Sequence, residues 1–181
     1  MQPMKTLGLA VALIVTGMAA LALPALAQPA KDCGAVPDEV AGPASVIDGD
    51  TIAIQGLKPH IRLWGVQAPE LRDKGTNQET VPGMRARAAL AELMTFGGGD
   101  VTCRPTKFDR YCRLVAICMA PRGDYHPEDI GWAMIDRGFA YGAWLEDVAP
   151  GQPALGRNYA WIEHQARKDR RGLWPAWLGE K

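Results

Sequence analysis

The alternation of apolar and polar positions between Ala44 and Leu71 predicts a tight cluster of short strands. Ala44 to Ile47 and Thr51 to Ile54 are β-rich and are separated by Asp48-Gly49, a pair that signals a hairpin because glycine accepts the positive φ of a primed turn. Asp50 therefore opens the returning strand. A third run, Ile61 to Val66, alternates so that Ile61 and Leu63 face one way and Arg62, Trp64 and Val66 the other. It ends at Gln67-Ala68-Pro69-Glu70, where proline forbids further ladder pairing. The pattern thus gathers two acids, Asp50 and Glu70, and one arginine, Arg62, at one end of a small sheet.

The period then changes. Arg72 to Thr80 is polar and contains glycine, as a surface loop does. Pro82 suits the first turn of a helix, and Ala86, Ala89, Leu90, Leu93 and Met94 recur at helical spacing until Gly97-Gly98-Gly99 stops them. Asp100 to Arg104 and Leu114 to Met119 read as two more strands, joined by Pro105 to Arg113, a connection carrying Lys107, Asp109, Arg110 and Tyr111. Pro121 to Tyr125 reads as a turn. Pro127 opens a second helix with Ile130, Ala133 and Met134 inward, ending at Gly138, and Phe139 to Trp144 is its aromatic-rich exit. A third helix spans about Arg157 to Arg171 with Tyr159, Ile162 and Ala166 inward. The run Arg167-Lys168-Asp169-Arg170-Arg171 is assigned to that helix's C-terminus, where cations complement the dipole, and Trp174 and Trp177 to covering the core. Five short strands interrupted by helices predict an α+β fold that is mainly β barrel: a five-stranded Greek-key barrel of the OB type with three packed helices.

Composition narrows the setting. Lys5, an apolar stretch from Leu7 to Leu23 and Ala25-Leu26-Ala27 make residues 1–27 an expected signal peptide, and residues 28–43 an extended lead-in to a domain over residues 44–178. Nothing after residue 27 is apolar for long enough to span a bilayer, so the mature chain is expected to be secreted or periplasmic. The 20 basic and 20 acidic residues balance, and loss of Lys5 with the leader leaves a formal charge of −1, which argues against a strongly basic general nucleic-acid binder. Four cysteines in an exported chain imply disulfides, and without a C-x-x-C pair zinc is disfavoured. Cys103 and Cys118 fall in two strands that are candidate neighbours, the first-choice bridge. Cys33 and Cys112 are left as the second pair by elimination.

Three motifs, Val46-Ile-Asp-Gly-Asp-Thr-Ile52, Arg62-Leu-Trp-Gly-Val-Gln-Ala-Pro-Glu70 and Asp109-Arg-Tyr-Cys-Arg113, occur in this order. In order and spacing the chain resembles the staphylococcal nuclease-like (thermonuclease) family from about Ala44 to Trp174. The resemblance implies an OB barrel with three helices and a calcium-dependent phosphodiesterase acting on DNA and RNA. It makes Arg62 and Arg113 the catalytic arginines and Glu70 the residue that activates or positions water. It makes Asp50 a calcium ligand, places Arg110 and Tyr111 near a substrate phosphate, and makes Trp144 a base-stacking aromatic. The residue types suit that chemistry, because planar guanidinium groups meet two phosphoryl oxygens at once and a carboxylate can orient water.

Two departures stand out. Gln67 and Ala68 occupy the positions of a second calcium-binding aspartate and the threonine after it, and Cys112 stands where the family has glycine. An amide oxygen contributes no formal charge, so a single Ca2+ held by Asp50, the Gln67 side chain and the Ala68 carbonyl is expected to bind weakly. The expected protein is therefore an exported, monomeric nuclease taking single-stranded DNA or RNA. The alternative is a catalytically weak or silent OB module that binds single-stranded nucleic acid, oligosaccharide or a protein partner.

Overall fold

The computed structural model describes residues 32–123 and 125–179; the expected signal peptide and the first residues of the lead-in lie outside them. Its strands are Val40–Val46 (β1), Thr51–Ile54 (β2), Ile61–Leu63 (β3), Val66–Gln67 (β4), Asp100–Phe108 (β5), Leu114–Arg122 (β6), Tyr125–Asp129 (β7) and Tyr141–Gly142 (β8). Its helices are Val81–Phe96 (α1), Ile130–Asp136 (α2), Leu155–Lys168 (α3) and a single turn, Trp174–Trp177 (α4). The main sheet runs β3-β2-β1-β5-β6-β7, and a parallel pairing of β3 with β6 closes its first five strands into a barrel. This is the OB-type α+β architecture, with the one-turn α4 added to the three expected helices. Closure removes the open edges of the small sheet and buries Ile52, Ile61, Leu63, Leu114 and Ala116 inside it.

The first helix follows its sequence pattern closely. Thr80 caps it by accepting from the Gly83 amide at 3.0 Å, and Ala86, Ala89, Leu90, Leu93 and Met94 are its buried stripe. The turn between β1 and β2 departs from the expected primed hairpin. Gly49 does not take a positive φ, and the Ile47 and Asp48 amides both donate to the Thr51 carbonyl across a wider loop. Glycine is required there for proximity instead: a Cβ at residue 49 would stand 2.6 Å from the Ala68 Cβ and 2.7 Å from the Ala86 Cβ. The loop of Asp48 and Asp50 is thereby pressed against both the β4 exit and α1.

The third strand is also shorter than its pattern. Gly65, at φ +67°, breaks it after Leu63, and Val66–Gln67 leave the barrel to pair with Tyr141–Gly142. Ile61, Arg62, Leu63, Trp64 and Val66 are all buried, so neither face of the run meets solvent. β3 is covered on both faces, so Arg62 points into protein and needs partners there. Downstream, β5 continues to Phe108 across a bulge between Pro105 and Lys107, which takes four residues from the expected connecting loop. Pro127 lies not in a helix but in β7, an edge strand that tolerates its missing N–H, and Asp129 caps α2 instead.

Both disulfides, Cys103–Cys118 and Cys33–Cys112, are present. Cys103 and Cys118 are register partners on β5 and β6. α2 and α3 are locked by a buried polar contact: the Tyr159 hydroxyl donates to both Asp129 carboxylate oxygens, at 2.8 and 3.0 Å, while Asp129 also accepts from the Trp132 amide at 3.1 Å. Burial pushes the Asp129 carboxyl above its ordinary range in spite of these donors. Tyr159→Phe keeps the ring against Trp64 but removes a donor from a buried carboxylate. The expected loss is about 2 kcal/mol, read as a Tm lower by about 4–8 °C for a domain of this size; an unchanged Tm would show that the hydroxyl does not lock the helices.

Candidate active site

Arg62 is 7% exposed and Asp50 6%. The guanidinium is ion-paired through Nη1 with the Asp50 carboxylate, donates from Nη1 to the Asp50 carbonyl at 3.2 Å, and donates from Nη2 to the Gln67 Oε1 at 3.0 Å. Antiparallel pairing of Thr51 with Arg62 sets Asp50 beside Arg62, and the turn at Gly65 carries Gln67 back to the same guanidinium. The other Asp50 oxygen accepts from the Ala68 amide at 2.7 Å, and Gln67 Nε2 donates to the Ala68 carbonyl at 2.9 Å. Burial pushes the Asp50 carboxyl up to about 6; the Arg62 cation and the Ala68 N–H oppose it, and nearby Asp48 reinforces it. At neutral pH the carboxylate is therefore charged and committed to Arg62.

These are the residues expected to hold calcium. Their oxygens suit a hard cation in kind, with Asp50 the one formal charge among Asp50, Gln67 and Ala68. In this arrangement the Asp50 carboxylate and the Gln67 amide oxygen already serve Arg62, so a cation entering here must compete with the guanidinium for both.

Arg113 sits on the loop between β5 and β6, which is organised by Asp109. The Asp109 Oδ1 accepts from the Tyr111 and Arg113 amides, each at 2.9 Å, and Oδ2 accepts from Arg113 Nε at 2.7 Å. Burial alone would raise the Asp109 carboxyl, but the donors from Arg113 and Tyr111 outweigh it and hold the group below its ordinary value. Cys112 completes the turn at φ +59°, a left-handed conformation that favours glycine, and is tied by its disulfide to Cys33. Cys112, which stands where the resemblance expects glycine, thus takes a backbone conformation of the kind that glycine adopts most readily.

Arg62, Arg110, Tyr111, Arg113 and Trp144 line one cavity of about 480 Å³. Trp144 is 58% exposed, has φ +55°, and presents its ring to the Arg62 guanidinium at 5.9 Å from the ring centroid. An ion pair between Lys107 of β5 and Asp147 holds the segment carrying Trp144 against the barrel. Tyr111 is 61% exposed, with the Arg110 and Arg113 guanidinium carbons at 4.9 and 5.7 Å from its ring centroid. Glu70 stands apart: it does not line this cavity, is exposed, and lies 3.6 Å from Lys74. Its backbone is nevertheless fixed, because its carbonyl accepts from the Thr80 hydroxyl at 2.7 Å.

Sequence reasoning gave no role to Asp109, Lys107 or Asp147. Asp109 carried a usable signal, an acid two and four residues before Tyr111 and Arg113, the spacing of a side-chain-closed turn. The Lys107–Asp147 contact spans 40 residues and had none.

The lowered Asp109 value has a signed consequence. A carboxylate held below its unfolded value stabilises fully above about 3.8, the ordinary value, and loses that contribution as pH falls through the folded value. Wild type is therefore expected to exceed Asp109→Asn in Tm at neutral pH, with the gap closing below about pH 4. A gap that stays constant or widens in acid would remove Asp109 as the anchor of the Arg113 loop.

The sequence matches the family model described as staphylococcal nuclease homologue over residues 60–176. It is 33% identical over 118 residues to the protein named probable endonuclease LCL3 of Arthroderma otae, an alignment covering 65% of this chain and 41% of that protein. It is 32% identical over 122 residues to the Coccidioides posadasii protein of the same name, covering 66% of this chain and 38% of that one. It is also 30% identical over 150 residues to the succinoglycan biosynthesis protein ExoI of Rhizobium meliloti, covering 80% and 69%. The chain thus spans about two fifths of the endonuclease relatives. The matched residues run from the entrance of β3 to α4 and include Arg62, Gln67, Glu70, Asp109 and Arg113, so the chain belongs to the staphylococcal nuclease homologue family.

Proposed function

We propose that this chain is an exported nuclease that hydrolyses phosphodiester bonds in single-stranded DNA or RNA. The observation that carries the reading is the meeting of Arg62 and Arg113, from opposite ends of the site, in one cavity beside the exposed face of Trp144. Hydrolysis of a phosphodiester builds negative charge on the phosphoryl oxygens. Two guanidinium groups already oriented by Asp50, Gln67 and Asp109 stabilise that charge with little reorganisation. Glu70, exposed and outside that cavity but on a backbone fixed by Thr80, would leave Lys74 and turn toward the phosphate to accept a proton from the attacking water or to orient it. Trp144 and Tyr111 stack bases without reading them, which suits a nuclease of broad sequence tolerance. Asp50, Gln67 and the Ala68 carbonyl would hold a calcium ion, which would add positive charge beside the phosphate. Export is supported by the two disulfides and the leader-like N-terminal sequence. Among the described residues no helix is long and apolar enough to cross a membrane.

The direct test is incubation of purified protein with single-stranded DNA, in calcium and then in chelator. Arg62→Ala, Glu70→Ala and Arg113→Ala are each expected to lower kcat by about 10² to 10³, the usual cost of losing a transition-state contact. Substrate affinity should change far less. Full activity in all three variants would show that the reacting phosphate sits elsewhere.

Calcium can be read apart from turnover. With Asp50 as the main charged ligand, calcium is expected to raise the Tm of wild type only slightly, and more when a short DNA strand supplies further negative charge. Gln67→Asp adds a carboxylate and should increase both the shift and the apparent affinity. Equal shifts in wild type and variant, with and without DNA, would rule out a calcium site at Gln67.

A further inference from the structure

A second basic cavity opens beside the first. It encloses about 440 Å³ and is lined by Lys58, His60, Phe108, Tyr111, Cys112 and Arg113. Three of these, Phe108, Tyr111 and Arg113, also line the cavity of Arg62 and Trp144, so the two spaces share a wall. The barrel topology makes them neighbours. Ile61 of β3 pairs in parallel with Leu114 of β6, and the His60 carbonyl accepts from the Leu114 amide at 2.9 Å. The connection carrying Lys58 and His60 is therefore pinned beside the residue that follows Arg113. Lys58 and His60 are exposed, belong to none of the family-like motifs, and support no packing.

We infer that this second cavity is a subsite for the phosphate adjacent to the scissile one, with Lys58 as its cationic contact, the His60 imidazole as a hydrogen-bond donor and Tyr111 as the divider over which the strand passes. The inference rests on the nuclease reading of the main cavity and names what that reading leaves open, the residues that hold the strand beyond the reacting bond. Charge and continuity support it. A strand with one phosphate between Arg62 and Arg113 must carry its next phosphate out of the first cavity. In the direction of the shared wall it meets Lys58 and His60, while Phe108 and Tyr111 offer apolar and aromatic surface to a base. A lysine on a flexible stem suits a backbone contact that positions without reading sequence. One opposing charge, Asp32, also lines the cavity, and the adjoining Cys33 reaches it through the bond to Cys112. The disulfide that replaces the family's glycine thus supplies part of the subsite wall.

The test compares a thymidine dinucleotide with a thymidine octanucleotide as substrates of wild type, Lys58→Ala, His60→Ala and the double variant. The expected result is a KM for the octanucleotide raised about tenfold in the double variant, with kcat unchanged and the dinucleotide constants unchanged. Asp32→Asn should lower the octanucleotide KM. The dependence of octanucleotide binding on salt, read by tryptophan fluorescence, should become less steep by about 0.7 for each phosphate contact removed. Equal effects on both substrate lengths, or none on either, would overturn the subsite. Should wild type cleave neither substrate, the hydrolytic reading fails but the binding titration still decides: an unchanged affinity and salt slope in the double variant would overturn the subsite by itself. All side chains changed are exposed, and matched Tm values confirm that the variants fold.

Discussion

The site depends on one buried cation. Arg62 lies on the strand that closes the barrel, covered on both faces, and a guanidinium there is tolerable only with matched acceptors. Asp50 supplies a carboxylate oxygen and its own carbonyl, and Gln67 supplies an amide oxygen, so two other segments of chain converge on one side chain. Much local geometry follows from this demand. Gly49 must lack a Cβ so that the Asp50 loop can reach the β4 exit, and Gly65 must turn so that Gln67 comes back. Arg62 has five N–H donors, of which these partners take a part, and its guanidinium carbon lies 5.9 Å from the Trp144 ring centroid on the wall of the cavity. The same contacts that make its burial tolerable aim it.

Arg113 is held by a different device of similar logic. A long arginine side chain on a surface loop would sample many rotamers, yet Asp109 accepts from its backbone and its Nε at once. The loop closes through Cys112 in the left-handed region, and the disulfide to Cys33 fastens it across 79 residues of chain. Constraint of this kind acts on the unfolded ensemble as well as on the folded loop, reducing the freedom that must be lost when the site forms. Two arginines of one type are thus oriented by different means: one by burial in a barrel, the other by a locally closed turn.

Between them lies a cavity whose far wall does not belong to the barrel. Trp144 arrives from the segment after β8, in a left-handed backbone conformation that an aromatic residue seldom takes, and Lys107–Asp147 draws that segment onto β5. β8 in turn pairs with β4, the strand released by Gly65. The short sheet of β4 and β8 therefore couples the position of Gln67, under Arg62, to the position of Trp144, over it. A large exposed aromatic in a strained conformation contributes little to packing, which agrees with a role at the surface of the site.

The sequence alone determined what rests on local periodicity and on residue type. The stripe of α1, the inward residues of α3, the barrel class and the Cys103–Cys118 bridge were legible because each is written in spacing or in the chemistry of export, while Cys33–Cys112 followed by elimination alone. Arg62 drew notice as an arginine in mid-strand, whereas Arg113 became a candidate only through the resemblance of the Asp109–Arg113 motif to the family. What tertiary structure decided was every feature that depends on close approach between distant segments. The role of Gly49 is proximity to Ala68 and Ala86 rather than turn conformation, and only the folded neighbours reveal it. That both faces of the third strand are covered follows from barrel closure and could not be read from its alternation. Pro127 entered an edge strand because β6 runs on to Arg122, into the expected turn, and pairs with the residues from Tyr125 to Asp129. The engagement of Asp50 and Gln67 by Arg62 was likewise invisible in the motif. The motif fixes which oxygen donors exist, whereas the competition for them is set by burial and by a guanidinium brought into contact across two strands.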